Sequence, residues 1–257
     1  MLPGGAFDGR VAVVTGGSSG LGEQIAHHLS GLGAAVALFA RRPEPLREVV
    51  TAIGAAGGVA AGFAVDVRDR DAVSGALDAV VERFGRVDHL VNNAAGNFRV
   101  RPEAMSPNAW NAVVRIVLDG SWNCTQLIGQ HWIATGRAGS VVSIGTTPAL
   151  YGDADTAHSA SAKAGVLALT KSLALAWGQY GIRLNVVIPG LVDETGAVGQ
   201  LFAAPGAYED NLAKIPLRRH AHRDEIADAV CYLLSDYAGY VTGAHLVVDG
   251  GRSLGIG

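Results

Sequence analysis

Seven apolar runs of strand length, at residues 11–15, 35–40, 59–65, 87–92, 140–144, 183–188 and 245–248, alternate with longer segments whose apolar residues recur at helical period. The runs are near-continuous in Val, Ile and Ala, the pattern of strands covered by helices on both faces. Helical period marks residues 21–32, 69–84, 107–132, 160–180 and 224–234. This βαβα order predicts an α/β fold: a doubly wound, seven-stranded parallel sheet with helices on both faces. The 257 residues suffice for one core of that size, and the 35 glycines fall without a linker, repeat or low-complexity tract. One domain spanning 1–257 is therefore expected.

A formal net charge of -3 offers no basic surplus for a phosphate backbone, so nucleic acid is not an expected partner. No run of about 18 apolar residues appears, residues 1–10 lack a basic stretch followed by an apolar one, and residues 255–257 carry no Ser-Lys-Leu address. The expectation is a cytoplasmic protein with no membrane association. Cys124 and Cys231 lie far apart, with no Cys or His at ligand spacing, and read as small buried side chains instead of a disulfide or a metal site.

The first run passes directly into Thr15-Gly16-Gly17-Ser18-Ser19-Gly20-Leu21-Gly22 and then into a helix. Glycines at 16, 20 and 22 permit a tight turn and let backbone N–H groups and a helix N-terminus approach a pyrophosphate. A Gly-rich surface turn is the alternative, but the strand before and the helix after favour a Rossmann-like dinucleotide site, with a cofactor half at about residues 1–150. The spacing, Gly-x-x-x-Gly-x-Gly after a Thr, resembles the short-chain dehydrogenase/reductase family. Further landmarks stand in order: Asp66-Val67, Asn92-Asn93-Ala94-Ala95-Gly96, Lys163, Pro189-Gly190 and Asp249-Gly250-Gly251. The resemblance implies that Asp66 bonds the adenine amino group, that Asn92 to Gly96 line the cofactor, and that Pro189 and Gly190 pass the nicotinamide. The second run ends in Arg41-Arg42, without the carboxylate that would hold a ribose 2′-hydroxyl. A guanidinium fork suits a 2′-phosphate, so NADP(H) is the expected cofactor; a solvated basic pair is the bland alternative.

In the general family a Tyr stands four residues before the Lys, and the pair moves a proton to or from a carbonyl or alcohol oxygen. Here Ser159 occupies that place in Ser159-Ala160-Ser161-Ala162-Lys163-Ala164-Gly165, and a serine hydroxyl is a far weaker acid than a phenol. Lys163 can still bond the nicotinamide ribose, and Thr146 matches the family's substrate-polarising hydroxyl. The chain most resembles the 2,4-dienoyl-CoA reductase branch, through Asn93 to Phe98, Ser106-Pro107-Asn108-Ala109-Trp110, Val117-Leu118-Asp119-Gly120 and Ser159 to Gly165. Val117 departs from the relay Asn of the general family, as in mitochondrial-type dienoyl reductases. Conjugate reduction of a dienoyl thioester drives charge onto the thioester oxygen, so oxyanion donors matter more than a strong acid. The resemblance implies Asn97 as one donor. The branch's Tyr position is Pro148 here, and Tyr151 follows three residues later.

Three readings follow: reduction of a conjugated acyl thioester; a carbonyl reductase or alcohol dehydrogenase with a displaced acid such as Tyr151, Asp153, Asp155 or His158; or an NADP(H)-binding module without efficient chemistry. Residues 191–219 read as a substrate flap, and Arg99, Arg101, Arg218, Arg219 and Arg252 as candidates for CoA phosphates. The family implies a homotetramer with the 107–132 and 160–180 helices at one interface; those helices carry Trp110, Trp122, Trp132 and Trp177, more aromatic surface than a small domain readily buries.

Overall fold

The apolar runs become strands because near-continuous β-branched sequence can be buried on both faces only inside a sheet flanked by helices. The computed structural model describes residues 2–193 and 207–255. Its elements are β1 (Val11–Thr15), α1 (Gly20–Gly31), β2 (Ala35–Ala40), α2 (Pro43–Ala55), β3 (Val59–Ala64), α3 (Arg70–Phe84), β4 (His89–Asn92), α4 (Pro107–Val114), α5 (Gly120–Thr135), β5 (Gly139–Ile144), α6 (Pro148–Tyr151), α7 (Ala157–Trp177), β6 (Ile182–Pro189), α8 (Ala207–Ala213), α9 (Arg223–Leu234) and β7 (His245–Val248). All seven strands form one parallel sheet in the order β3-β2-β1-β4-β5-β6-β7. Val14 pairs with Leu38 on one side and Val91 on the other, so β1 and β4 are neighbours whose onward connections leave in opposite directions. That reversal opens a crevice beyond their carboxyl ends, where such sheets hold ligands.

Each sheet face has its own core. On one, Ile25 and Leu29 of α1, Val49 and Ile53 of α2, and Ile226 and Leu234 of α9 form one cluster with Val14 of β1, Leu38 of β2, Val142 of β5 and Val187 of β6. On the other, Val73 and Leu77 of α3, Ile128 and Trp132 of α5, and Leu173 of α7 cover the sheet. Cys124 and Cys231 are buried in these two separate clusters, and burial pushes both thiols up to about 12. Trp132 is wholly buried, with Nε1 donating to Val87 O at 2.7 Å. It therefore leaves the set of rings invoked for an interface, whereas Trp110 and Trp122 are 38% and 40% exposed. Among the described residues no helix is long and apolar enough to cross a membrane.

Several boundaries differ from the sequence reading. Helix α2 was not expected, because Pro43 and Pro45 obscure the stripe of Leu46, Val49 and Ile53; a proline in the first turn costs no helical hydrogen bond. The expected 107–132 helix is interrupted by a π turn at Arg115–Asp119, which buries Val117 and lets Ser121 Oγ donate to Val117 O at 2.6 Å. Strand β4 starts at His89, and just before it the Asp88 carboxylate accepts from Val11 N at 2.9 Å. Helix α7 begins at Ala157 and gives way at Gly178–Tyr180 to a 3-10 turn.

Candidate active site

At the crevice, steric necessity explains the glycines. Gly16 has φ +65°, a conformation that strains any residue with a Cβ, and a methyl there would lie 2.9 Å from Asn93 Nδ2. A methyl on Gly22 would stand 2.3 Å from Gly16 O and 2.5 Å from Asn93 Nδ2, so only glycine lets α1 approach the turn. Thr15 Oγ1 donates to Val91 O at 3.2 Å and accepts from Asn93 N and Ala94 N at 3.0 Å each. Asn93 Nδ2 donates to Thr15 O at 3.0 Å and Gly16 O at 3.3 Å. The ends of β1 and β4 are thereby stitched to the Gly-rich turn. Asn92 is structural: buried, its Nδ2 donates to Thr125 Oγ1 at 2.8 Å.

The crevice is lined by Gly16, Ser18, Ser19, Arg41, Arg42, Asp66, Val67, Asn93, Ala94 and Ala95, all expected from sequence, and by Phe39, Ala40, Val65 and Ile116, which were not. Ser19 makes no capping bond, and beyond Gly20 the space is open. Leu21 follows Gly20 in the first turn of α1, and Gly22 acts from behind. Arg41 and Arg42 are exposed at the rim, with no carboxylate partner among the described residues. A turn closed by glycine, an open helix start and a cationic rim together fit a dinucleotide. Asp66 is already engaged: Arg68 Nε donates to both its carboxylate oxygens, at 2.9 and 3.1 Å. The Arg68 side chain holds Asp66 below the usual carboxylate range, so an adenine amino group would have to share that carboxylate. The Asp-x-Arg spacing was the available signal for this pair. Pro189 ends β6, and Gly190 lies so close to the 249–251 turn that a methyl would meet Asp249 Cα at 2.8 Å.

At the reacting end, α7 places Ser159 one turn before Lys163, both buried. Lys163 Nζ donates to Ile144 O at the end of β5, and burial pushes its ammonium down to about 8. Thr146, half-buried, follows two residues beyond Ile144, so Lys163 is fastened to the strand end from which Thr146 continues. Among the described residues no tyrosine hydrogen-bonds Lys163. Tyr151 is the last residue of α6, 40% exposed, and makes no hydrogen bond among the described residues. Asn97 is exposed on the loop that continues from Gly96. Its Oδ1 accepts from Phe98 N at 3.0 Å, which leaves the Nδ2 hydrogens to donate elsewhere.

Residues 194–206 of the expected flap lie outside the described residues. Arginines proposed for CoA phosphates have protein partners: Arg99 and Arg101 reach Asp155, Arg219 pairs with Glu225, and Arg218 donates to Ala213 O.

The family described as enoyl-(acyl carrier protein) reductase matches residues 16–253. A Bacillus subtilis protein described as a "probable 2,4-dienoyl-CoA reductase" is 41% identical over 95% of this chain and 97% of its own length. The chain belongs to the short-chain dehydrogenase/reductase family. A Caenorhabditis elegans protein described as a "probable 2,4-dienoyl-CoA reductase 3" is 39% identical, covering 98% of this chain and 83% of the relative. The crystal structure of a short-chain dehydrogenase from Bacillus anthracis superposes with a TM-score of 0.87 at 38% identity, over 95% of this chain and 96% of that one. Membership of the short-chain dehydrogenases makes the chain an oxidoreductase that uses a nicotinamide cofactor.

Proposed function

We propose that this short-chain dehydrogenase is an NADPH-dependent reductase of a conjugated acyl thioester, with a 2,4-dienoyl-CoA as its substrate class. The observation that carries the reading is the company kept by Lys163: a buried serine stands where ketone reduction needs a phenol, and among the described residues no tyrosine hydrogen-bonds Lys163, whose ammonium donates to Ile144 O. The bound nicotinamide supplies a hydride. Charge then collects on the thioester oxygen, which calls for donors aimed at that atom, and a proton is afterwards taken up from solvent at the α carbon to complete the reduction. Asn97, with Oδ1 tied to Phe98 N, has its Nδ2 hydrogens to offer there. The Thr146 hydroxyl adds a second donor, and the Lys163 ammonium holds the nicotinamide ribose. Tyr151 is the phenol of the loop beyond β5 and assists; Ser159 is dispensable for proton transfer.

Two of the displaced acids of a carbonyl reductase, Asp153 and Asp155, are poorly suited. Asp153 Oδ1 accepts from Asp155 N and Thr156 Oγ1 at 2.9 Å each, and Arg99 holds Asp155 below the usual carboxylate range. Arg41 and Arg42 at the rim support NADPH over NADH. The reading includes one domain, a cytoplasmic location and a homotetramer, the last supported by the exposed rings of Trp110 and Trp122 on α4 and α5. Light scattering at micromolar concentration is expected to give the tetramer mass; a monomer would end that part. The functional test is NADPH oxidation against a dienoyl-CoA, a monounsaturated enoyl-CoA and simple ketones. Turnover confined to the dienoyl-CoA is expected. Turnover of ketones would return the displaced-acid reading, and no turnover the binding module.

A further inference from the structure

The loop that carries Asn97 is fastened, residue by residue, to the start of α7. Val100 N donates to Asp155 O at 2.8 Å. On either side of that backbone bond the two flanking arginines converge on the carboxylate of the same residue: Arg99 Nη2 donates to Asp155 Oδ2 at 2.6 Å, and Arg101 Nη1 lies 3.5 Å from Oδ1. Asp155 is itself fixed, because its N–H is bound by Asp153 Oδ1, which also holds Thr156 Oγ1. Three residues further on, the wholly buried His158 ring meets Phe98 edge-on, with centroids 4.6 Å apart and planes at 89°. His158 cannot swing away freely, since its Nδ1 accepts from Ser159 N at 2.8 Å. That bond places the proton of the neutral ring on Nε2, which is buried with no hydrogen-bond partner among the described residues.

We propose that Asp155 and His158 are positioning residues, a clasp that grips Phe98 to Arg101 and so sets the direction of the Asn97 amide. The proposal rests on the reading of Asn97 as the oxyanion donor. An exposed asparagine on a free loop would sample many directions, whereas a donor stabilises developing charge only when it is already aimed. With Oδ1 held by Phe98 N and Phe98 held by His158, Asn97 has its backbone and its amide fixed from one side. The ionic half is solvent-exposed, with Arg99 57% and Arg101 60% exposed, so it adds little to global stability. Its effect is local order. The clasp also accounts for two arginines that a CoA reading would otherwise leave to phosphates.

The test combines hydrogen exchange over residues 97–101 with steady-state kinetics on a dienoyl-CoA, for wild type, Asp155→Asn, Arg99→Gln and the double variant. The clasp predicts faster exchange over that segment in each variant, with the melting temperature little changed. It predicts a kcat lower by about tenfold, with KM and the dissociation constant of NADPH nearly unchanged, since misaiming a donor costs rate more than binding. The double variant should be no worse than Asp155→Asn alone, because that change already removes the charge gripped by both arginines, whereas Arg99→Gln keeps the contact of Arg101. Phe98→Leu gives a second approach from the aromatic half and should raise exchange in the same segment. Unchanged exchange in Asp155→Asn and Phe98→Leu overturns the clasp, and so does raised exchange with unchanged kcat. If wild type turns over no dienoyl-CoA, the functional reading fails on its own; exchange then still decides whether Asp155 orders the loop.

Discussion

At the nucleotide end of the crevice, Thr15 and Asn93 bind β1, β4 and the Gly-rich turn into one unit, and Gly22 admits nothing larger than hydrogen. At the substrate end, Asn97 stands exposed on a loop and Tyr151 at the end of the short helix α6, and order comes from side-chain contacts such as Arg99 to Asp155. The first region is fixed by backbone stereochemistry, which few substitutions can evade. The second is fixed by contacts that can be exchanged one at a time, which is how a family keeps one cofactor while changing its chemistry.

The contrast is broken most severely by a methyl group at the nucleotide end. Gly22→Ala sets a carbon 2.3 Å from Gly16 O, and is expected to cost about 1–3 kcal/mol of stability and to abolish measurable NADPH binding by calorimetry. Gly31→Ala, in the same helix with nothing within 4 Å, should instead gain up to about 1 kcal/mol. Wild-type binding by Gly22→Ala would show that the turn yields and that the two ends are not differently built.

A smaller effect is expected at the rim, where side chains replace backbone as the binding element. Arg41→Ala should weaken NADPH by about 1.5–3 kcal/mol while leaving NADH nearly unaffected. Equal dissociation constants for the two cofactors in the wild type would remove the basis of the NADPH assignment.

Lys163 spans both ends and offers the mildest test. Its folded value of about 8 lies below the roughly 10.4 of an unfolded lysine. Between those values the unfolded chain binds the extra proton, so stability should rise with pH across that window and the gain should be absent below it. Denaturant titrations of wild type against Lys163→Met should show this difference in slope. Parallel curves would mean that the ammonium is not penalised by burial.

How far each region was legible follows from the same distinction. The turn at residues 15–22 could be read because the need for glycine is local, and the seven runs because burial of a parallel strand leaves a continuous apolar imprint. Asn93 could be placed at the cofactor but not beneath Gly22, since its partner Thr15 lies 78 residues earlier. The grip of Asp155 on Arg99 spans 56 residues, and no local pattern announces it. Helix α2 was hidden by two prolines that its first turn tolerates, and the π turn at Arg115–Asp119 by an apolar pattern that reads as unbroken helix. Ser159 before Lys163 was plain in the sequence, whereas the exposure of Tyr151 was not, because a three-residue shift in a loop leaves its direction open.

The central claim is that oxyanion donation from Asn97, and not acid catalysis from the Ser159 position, carries the reaction. Steady-state turnover of a dienoyl-CoA with NADPH should be compared for wild type, Asn97→Ala, Tyr151→Phe and Ser159→Ala. The account predicts a kcat lower by about a hundredfold or more in Asn97→Ala, a smaller loss in Tyr151→Phe and near-normal turnover in Ser159→Ala. Abolished turnover in Ser159→Ala, with the other two near wild type, would contradict it and make Ser159 and Lys163 the working pair.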